Sequence, residues 1–190
     1  SNQQVASGGS DGKVTLWKLD VPAPRPIAAG AAPATITAVS RDGKLLAVDG
    51  TVDGKPAVIV RDLASGQITK SLTGHTAAVT ALAFSSDGTK LISGSADKTV
   101  LVFNLADGKT VGKFTGHAQP ISAVAVLTAN NATAISASSD NTLKVWNVAD
   151  GKEQTVKFST APGPITALLG LASGQFITAG DATVRVWNGS

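Results

Sequence analysis

Apolar residues in this chain gather into short runs dense in Val, Ile, Leu, Thr and Phe, and Asp-Gly and Ser-Asp pairs punctuate them. Runs of this kind, with turn signals about every 8–12 residues, predict short antiparallel strands joined by hairpins. The density of β-branched side chains argues against helix. Many runs are apolar at consecutive positions instead of alternating, which is the pattern of a sheet covered on both faces.

The runs repeat. Five segments align on a β-branched run with an aromatic, or its substitute, in fourth place: VTLWKL (14–19), VIVRDL (58–63), VLVFNL (100–105), LKVWNV (143–148) and VRVWNG (184–189). Their fourth positions are Trp17, Arg61, Phe103, Trp146 and Trp187, spaced at a nearly constant period. Within the unit around Phe103 the order of events is clear. Gly74-His75 leads into AVTALAF (78–84), an SSDG turn (85–88), KLISGS (90–95), a tight ADK turn (96–98), TVLVFNL, and then ADGK (106–109) before TVGKF (110–114). Four strands per repeat of this length predict a β-propeller blade.

The order Gly-His, strand, Asp-Gly turn, strand, and a strand closing on Trp-Asn resembles the WD-repeat (Trp-Asp repeat) β-propeller family, from Val5 to Asn188. The chain departs from that pattern in places. Gly-His occurs only at Gly74-His75 and Gly116-His117, Trp-Asp itself never appears, and Arg61-Asp62 keeps the Asp without the aromatic. The resemblance implies an all-β single domain: a partial blade over 1–33, blades over about 34–73, 74–115 and 116–159, and an incomplete blade over 160–190. That is about four and a half blades, whereas rings of this family usually have about seven. An open ring exposes strand edges and apolar blade faces. Completion by another copy or by further chain is therefore expected in preference to a compact five-blade monomer. The Pro-rich stretch VPAPRPIAAGAAP (21–33) reads as an irregular outer strand and crossing to the next blade.

Composition narrows the functions. A net charge of +3, from 16 Lys+Arg against 13 Asp+Glu spread thinly, does not make a nucleic-acid footprint. No apolar run is long enough for a membrane span, and no signal segment opens the chain, so a soluble protein is expected, with the cytoplasm favoured. The absence of Cys and the two His, in different units, argue against thiol chemistry and a His-based metal site. The Ser-Asn start without Met and the Gly-Ser end suggest processing or cloning.

Several motifs mimic chemistry. Gly8-Gly9-Ser10-Asp11-Gly12 has nucleophile-elbow spacing, but a strand follows it where a helix is needed. Gly108-Lys109-Thr110 lacks the first glycine of a phosphate loop, since Phe103 stands there. Asp49, Asp53 and Gly54 suggest a calcium loop, yet its twelfth position is Val60 instead of Glu. Asn131-Ala132-Thr133 and Asn188-Gly189-Ser190 are glycosylation sequons of low specificity. No cofactor or metal is expected.

The family resemblance implies a structural hydrogen-bond network of His117, Ser136 or Ser138, Asp140 and Trp146. In the preceding blade it implies His75, Ser93 or Ser95, and Asp97, a shorter chain because Phe103 has no donor. The serines of each pair stand two apart on one strand, so the sequence does not choose between them. A Ser-His-Asp catalytic site is the alternative, with no oxyanion device visible. One stretch exceeds what the repeat needs: DGTVDGKPA (49–57) predicts a longer, charged hairpin projecting from one rim. Asp49, Asp53 and Lys55 there, with Lys98 and Asn141 of the matching turns, are the candidate interaction residues. The expected function is a non-catalytic scaffold presenting blade-connecting loops to a protein or peptide partner. The alternative is a structural or engineered repeat that closes a ring with copies of itself.

Overall fold

The computed structural model describes residues 35–127, 132–149, 151–154, 164–171, 174–180 and 182–188 in full, and the backbone of 3–8 and 14–19. The elbow-like spacing around Ser10, the Pro-rich stretch 21–33 and Asn131 lie outside the described residues. Among the described residues seventeen strands form five antiparallel sheets. The first is the hairpin β1 (Gln3–Gly8) and β2 (Val14–Leu19). Three four-stranded sheets follow in simple meander order. They are β3 (Thr37–Val39), β4 (Leu45–Val52), β5 (Lys55–Asp62) and β6 (Ile68–Thr73); then β7 (Val79–Phe84), β8 (Lys90–Ser95), β9 (Thr99–Asn104) and β10 (Thr110–Thr115); then β11 (Ile121–Val126), β12 (Thr133–Ser138), β13 (Leu143–Asn147) and β14 (Glu153–Gln154). A three-stranded sheet closes the series: β15 (Ala167–Gly170), β16 (Gln175–Gly180) and β17 (Thr183–Asn188).

The sheets pack side by side through their first strands, β3 against β7, β7 against β11, and β11 against β15. The core accordingly lies in the seams between sheets. In the seam between the second and third sheets, Val58 and Val60 of β5 meet Val79, Leu91, Leu101 and Phe103. The next seam joins Ile92, Val100 and Val102 to Ile121, Val124, Val126 and Trp146. The last joins Ile135, Leu143 and Val145 to Ile165 and Phe176. A sheet between two neighbours is buried on both faces, and every residue of β12 is buried. The consecutive apolar runs of the sequence have this cause.

Gly94 on β8 marks how closely two blades approach. A Cβ there would collide with Ile121 Cγ2 and lie 3.1 Å from Val124 Cγ1 of the following sheet. The matching residue one blade on is Ala137, so the constraint belongs to this seam and not to the repeat. Ile121 is β-branched and 1% exposed, and has no room to retreat. Gly94→Ala should therefore destabilise the protein by about 1–3 kcal/mol through overpacking. Urea unfolding measures it, and the same substitution in an Ile121→Ala background, where Cγ2 is gone, should cost less.

Candidate functional site

Two near-identical polar networks span the third and fourth sheets. Each begins in the connection from an outermost strand to the next innermost one, where Gly-His closes one blade and opens another. His117 is buried, with its Nδ1 3.1 Å from Asp140 Oδ2 and its Nε2 2.7 Å from Ser136 Oγ. Trp146 Nε1–H donates to the same Ser136 Oγ at 2.7 Å. An indole N–H can only donate, so the Ser136 hydroxyl accepts from it and donates its own proton to Nε2. His117 is thereby assigned as the Nδ1–H tautomer, donating to Asp140. Phe114 stacks on Trp146 with ring centroids 5.0 Å apart, and a Cβ at Gly116 would meet the indole at 2.9 Å.

The copy one blade earlier has His75 Nδ1 2.9 Å from Asp97 Oδ2 and Nε2 2.7 Å from Ser93 Oγ. Phe103 offers no donor there, and the chain ends at the serine. The other serine of each pair takes a different task. Ser95 Oγ–H donates to the Ala77 carbonyl and Ser138 Oγ–H to the Gln119 carbonyl, both at 2.9 Å. Each also accepts from the backbone N–H of its turn aspartate.

Threonines absent from the sequence reading complete both networks. Thr99 Oγ1–H donates to Asp97 Oδ1 and Thr142 Oγ1–H to Asp140 Oδ1, each at 2.6 Å. Their signal was present as a Thr two residues after the Asp in both ADKT and SDNT. In the last sheet Trp187 Nε1–H donates to Thr178 Oγ1 at 2.9 Å, as Trp146 does to Ser136.

Burial alone would raise the pKa of Asp97, but hydrogen bonds from the Thr99 hydroxyl, the Thr76 N–H, His75 and the Thr99 N–H outweigh it and hold the carboxyl at about 2. Asp140 is held at about 2 against the same desolvation, by the Thr142 hydroxyl, the Ala118 and Thr142 N–H groups and His117. Burial lowers the pKa of His117 from its usual 6.5, although Asp140 opposes the shift. The neutral ring agrees with the tautomer drawn from its partners.

The rim residues are placed less uniformly. The 49–57 stretch is an extended hairpin: β4 and β5 run eight residues each and pair through Thr51↔Pro56 and Val52↔Lys55. A tight turn at Asp53 (φ 50°) and Gly54 (φ 73°) joins them, both left-handed as this hairpin geometry requires. Asp49 faces away from partner recognition. Its carboxylate accepts from Thr35 N–H, Thr35 Oγ1–H and Ile36 N–H at 2.8, 2.9 and 2.8 Å. No group of three or more His, Cys, Asp or Glu able to hold a metal occurs among the described residues. Lys98 (φ 70°) and Asn141 (φ 63°) occupy the corresponding turns of the next two blades. An open groove of about 610 Å³ lies between the hairpin tip, at Gly54, Lys55 and Pro56, and the connection through Thr73, Gly74, His75 and Thr76.

The model of the WD domain, G-beta repeat, matches residues 66–104, 108–147 and 152–188. The chain belongs to the WD-repeat family. Its members are generally non-catalytic scaffolds for protein interaction. The chain is 32% identical over 102 residues to protein HIR1 of Yarrowia lipolytica and 35% identical over 105 residues to actin-interacting protein 1 of Caenorhabditis elegans. Each match covers 54% of this chain but only 8% and 17% of those proteins. The solved structure of U3-55K superposes with a TM-score of 0.76 at 28% identity, over 86% of this chain and 51% of that one. The WD-repeat chain thus spans a small part of its curated relatives and about half of a solved one. Among its described residues no helix is long and apolar enough to cross a membrane.

Ser136→Ala strands two buried groups, the Trp146 N–H and His117 Nε2, whereas Ser93→Ala strands only His75 Nε2. An unsatisfied buried group costs about 1–3 kcal/mol, so Ser136→Ala should lower the unfolding free energy more than Ser93→Ala does in chemical denaturation. A pH dependence follows as well. Asp97 and Asp140 bind their protons more weakly folded than unfolded, so their contribution is complete above the ordinary carboxylate value of 3.8 and is lost as pH falls toward about 2. His117 acts in the same sense below 6.5, because the unfolded chain takes up its proton first. The stability gap between the wild type and Asp140→Asn should therefore shrink as pH falls from about 4 toward about 2 in urea titrations.

Proposed function

We propose that this WD-repeat protein is a non-catalytic interaction scaffold that uses one rim, the one carrying the β4–β5, β8–β9 and β12–β13 turns. The groove beside Lys55 is the observation that carries this reading. Its floor is the His75 connection, which Asp97 anchors through both the imidazole and the Thr76 N–H at 2.9 Å. A connection anchored in that way loses little freedom when a partner docks. Lys55 is the one side chain of permanent charge on the lining, and Thr73 and Thr76 are exposed beside it. The groove suits an extended peptide carrying an acidic group.

Geometry weighs against a hydrolytic reading of the Ser-His-Asp order. Ser136 and Ser93 are fully buried, and Ser136 Oγ already accepts from Trp146. A nucleophile must reach its substrate, and neither oxygen faces solvent. The bare outer face of the last sheet favours a second reading, in which copies of the chain associate.

Peptides selected from a displayed random library on the wild-type protein should be acidic. Lys55→Glu should weaken them at least tenfold by surface plasmon resonance, and Lys109→Glu on the opposite rim should leave them unchanged. Equal losses from both substitutions, or no selected binders, would sink the rim assignment.

A further inference from the structure

The seams between sheets follow one rule, and the last sheet breaks it. In β5, β9 and β13 two apolar residues at matching repeat positions, Val58 and Val60, Val100 and Val102, and Leu143 and Val145, are each at most 7% exposed. Their counterparts in β17, Val184 and Val186, are 71% and 62% exposed. On the same sheet Leu169 of β15 is 59% exposed, whereas its counterpart Ala125 in β11 is 4% exposed. The register sets Leu169 opposite Ile177, and Ile177 opposite Val186, so these side chains share one face. This contiguous aliphatic face is the trailing face of a blade with no blade behind it.

The interior seams also define what covers such a face. The covering sheet always supplies a directly paired couple from its second and third strands, the latter aromatic. Leu91 pairs with Phe103, Ala134 with Trp146, and Phe176 with Trp187. These couples lie against Val58 and Val60, Val100 and Val102, and Leu143 and Val145 respectively. One further couple of this kind exists in the chain. The register of β1–β2 pairs Val5 with Trp17, and Ser7 with Thr15, as β8–β9 pairs Leu91 with Phe103 and Ser93 with Leu101. The covering couple therefore stands at one end of the chain and the uncovered face at the other.

We propose that the trailing face of β15–β17 is an interface for a second copy of this chain, which docks on it head to tail with its N-terminal sheet. The proposal rests on the self-association reading above and names its surfaces. Such an interface is heterologous, and each added copy again leaves one head and one tail until the rotation closes. It reuses a seam that the polypeptide already builds three times within itself.

The test is light scattering coupled to size exclusion across a range of protein concentrations. Wild type should give a mass at least twice the 19.0 kDa of one chain. Val186→Glu, at an exposed position where the fold has nothing to lose, should return it to a single chain with unchanged circular dichroism. Trp17→Glu should do the same, and Thr15→Glu provides a milder head variant if Trp17→Glu does not fold. A mixture of the Val186→Glu and head variants has one intact tail and one intact head, and should form a one-to-one dimer. If wild type is monomeric throughout, both self-association and this interface fail. If Val186→Glu dissociates the assembly while the head variants do not, self-association stands and the head-to-tail assignment is overturned. Failure of the mixture to dimerise would overturn it also.

Discussion

Apolar contact between neighbouring sheets is the interaction on which the rest of this structure depends. A blade of four short strands cannot bury its own side chains, because both faces of a sheet this thin would meet water. Valines and isoleucines at the seams each contribute roughly 1.5–3 kcal/mol once covered, and nothing until then. Stability is therefore a property of pairs of adjacent blades, as in other repeat architectures. Small departures are felt across a seam, as at Gly94, where Ile121 of the next blade occupies the space a methyl group would need.

The histidine networks are secondary to that packing but give it a consequence for function. Gly-His connections run from the outside of one blade to the inside of the next, and their backbone polar groups need partners. Asp97 and Asp140 supply them, each accepting from a connection N–H as well as from the imidazole. A hairpin turn of one strand pair is thereby tied to the connection entering its own blade. The rim that results holds the elongated β4–β5 hairpin and its groove beside an anchored floor. Buried polar chains of this kind add rigidity only when every member is satisfied. The Trp146 version is complete, the Phe103 version ends at Ser93, and in the last blade the Trp187 indole donates to Thr178.

Much of this was legible from sequence for a simple reason: strand periodicity and turn chemistry are local. The recurrence of VLVFNL and LKVWNV marked the third strand of each unit, and the Asp-Gly pairs marked the reversals. The outline of the histidine networks came from the family resemblance, carried onto residues that recur in step with the strands. Which serine served was not legible, since Ser136 and Ser138 share a face, and only the position of His117 separates them. Asp49 looked like part of a charged loop, yet its carboxylate is consumed by Thr35 and Ile36, a contact made only once β3 lies beside β4. In the longer hairpin expected there, β4 and β5 pair almost to the end, leaving Asp53 and Gly54 alone at the tip.

The amino-acid order by itself determined the strands, their meander order and the repeat, because each follows from neighbours a few residues away. Only the tertiary structure decided exposure. Val102 and Val186 sit in nearly identical local sequence at the same repeat position, and one is sealed while the other stands open. Burial depends on which sheet lies across the seam, and that neighbour belongs to another repeat, far from the valine in sequence.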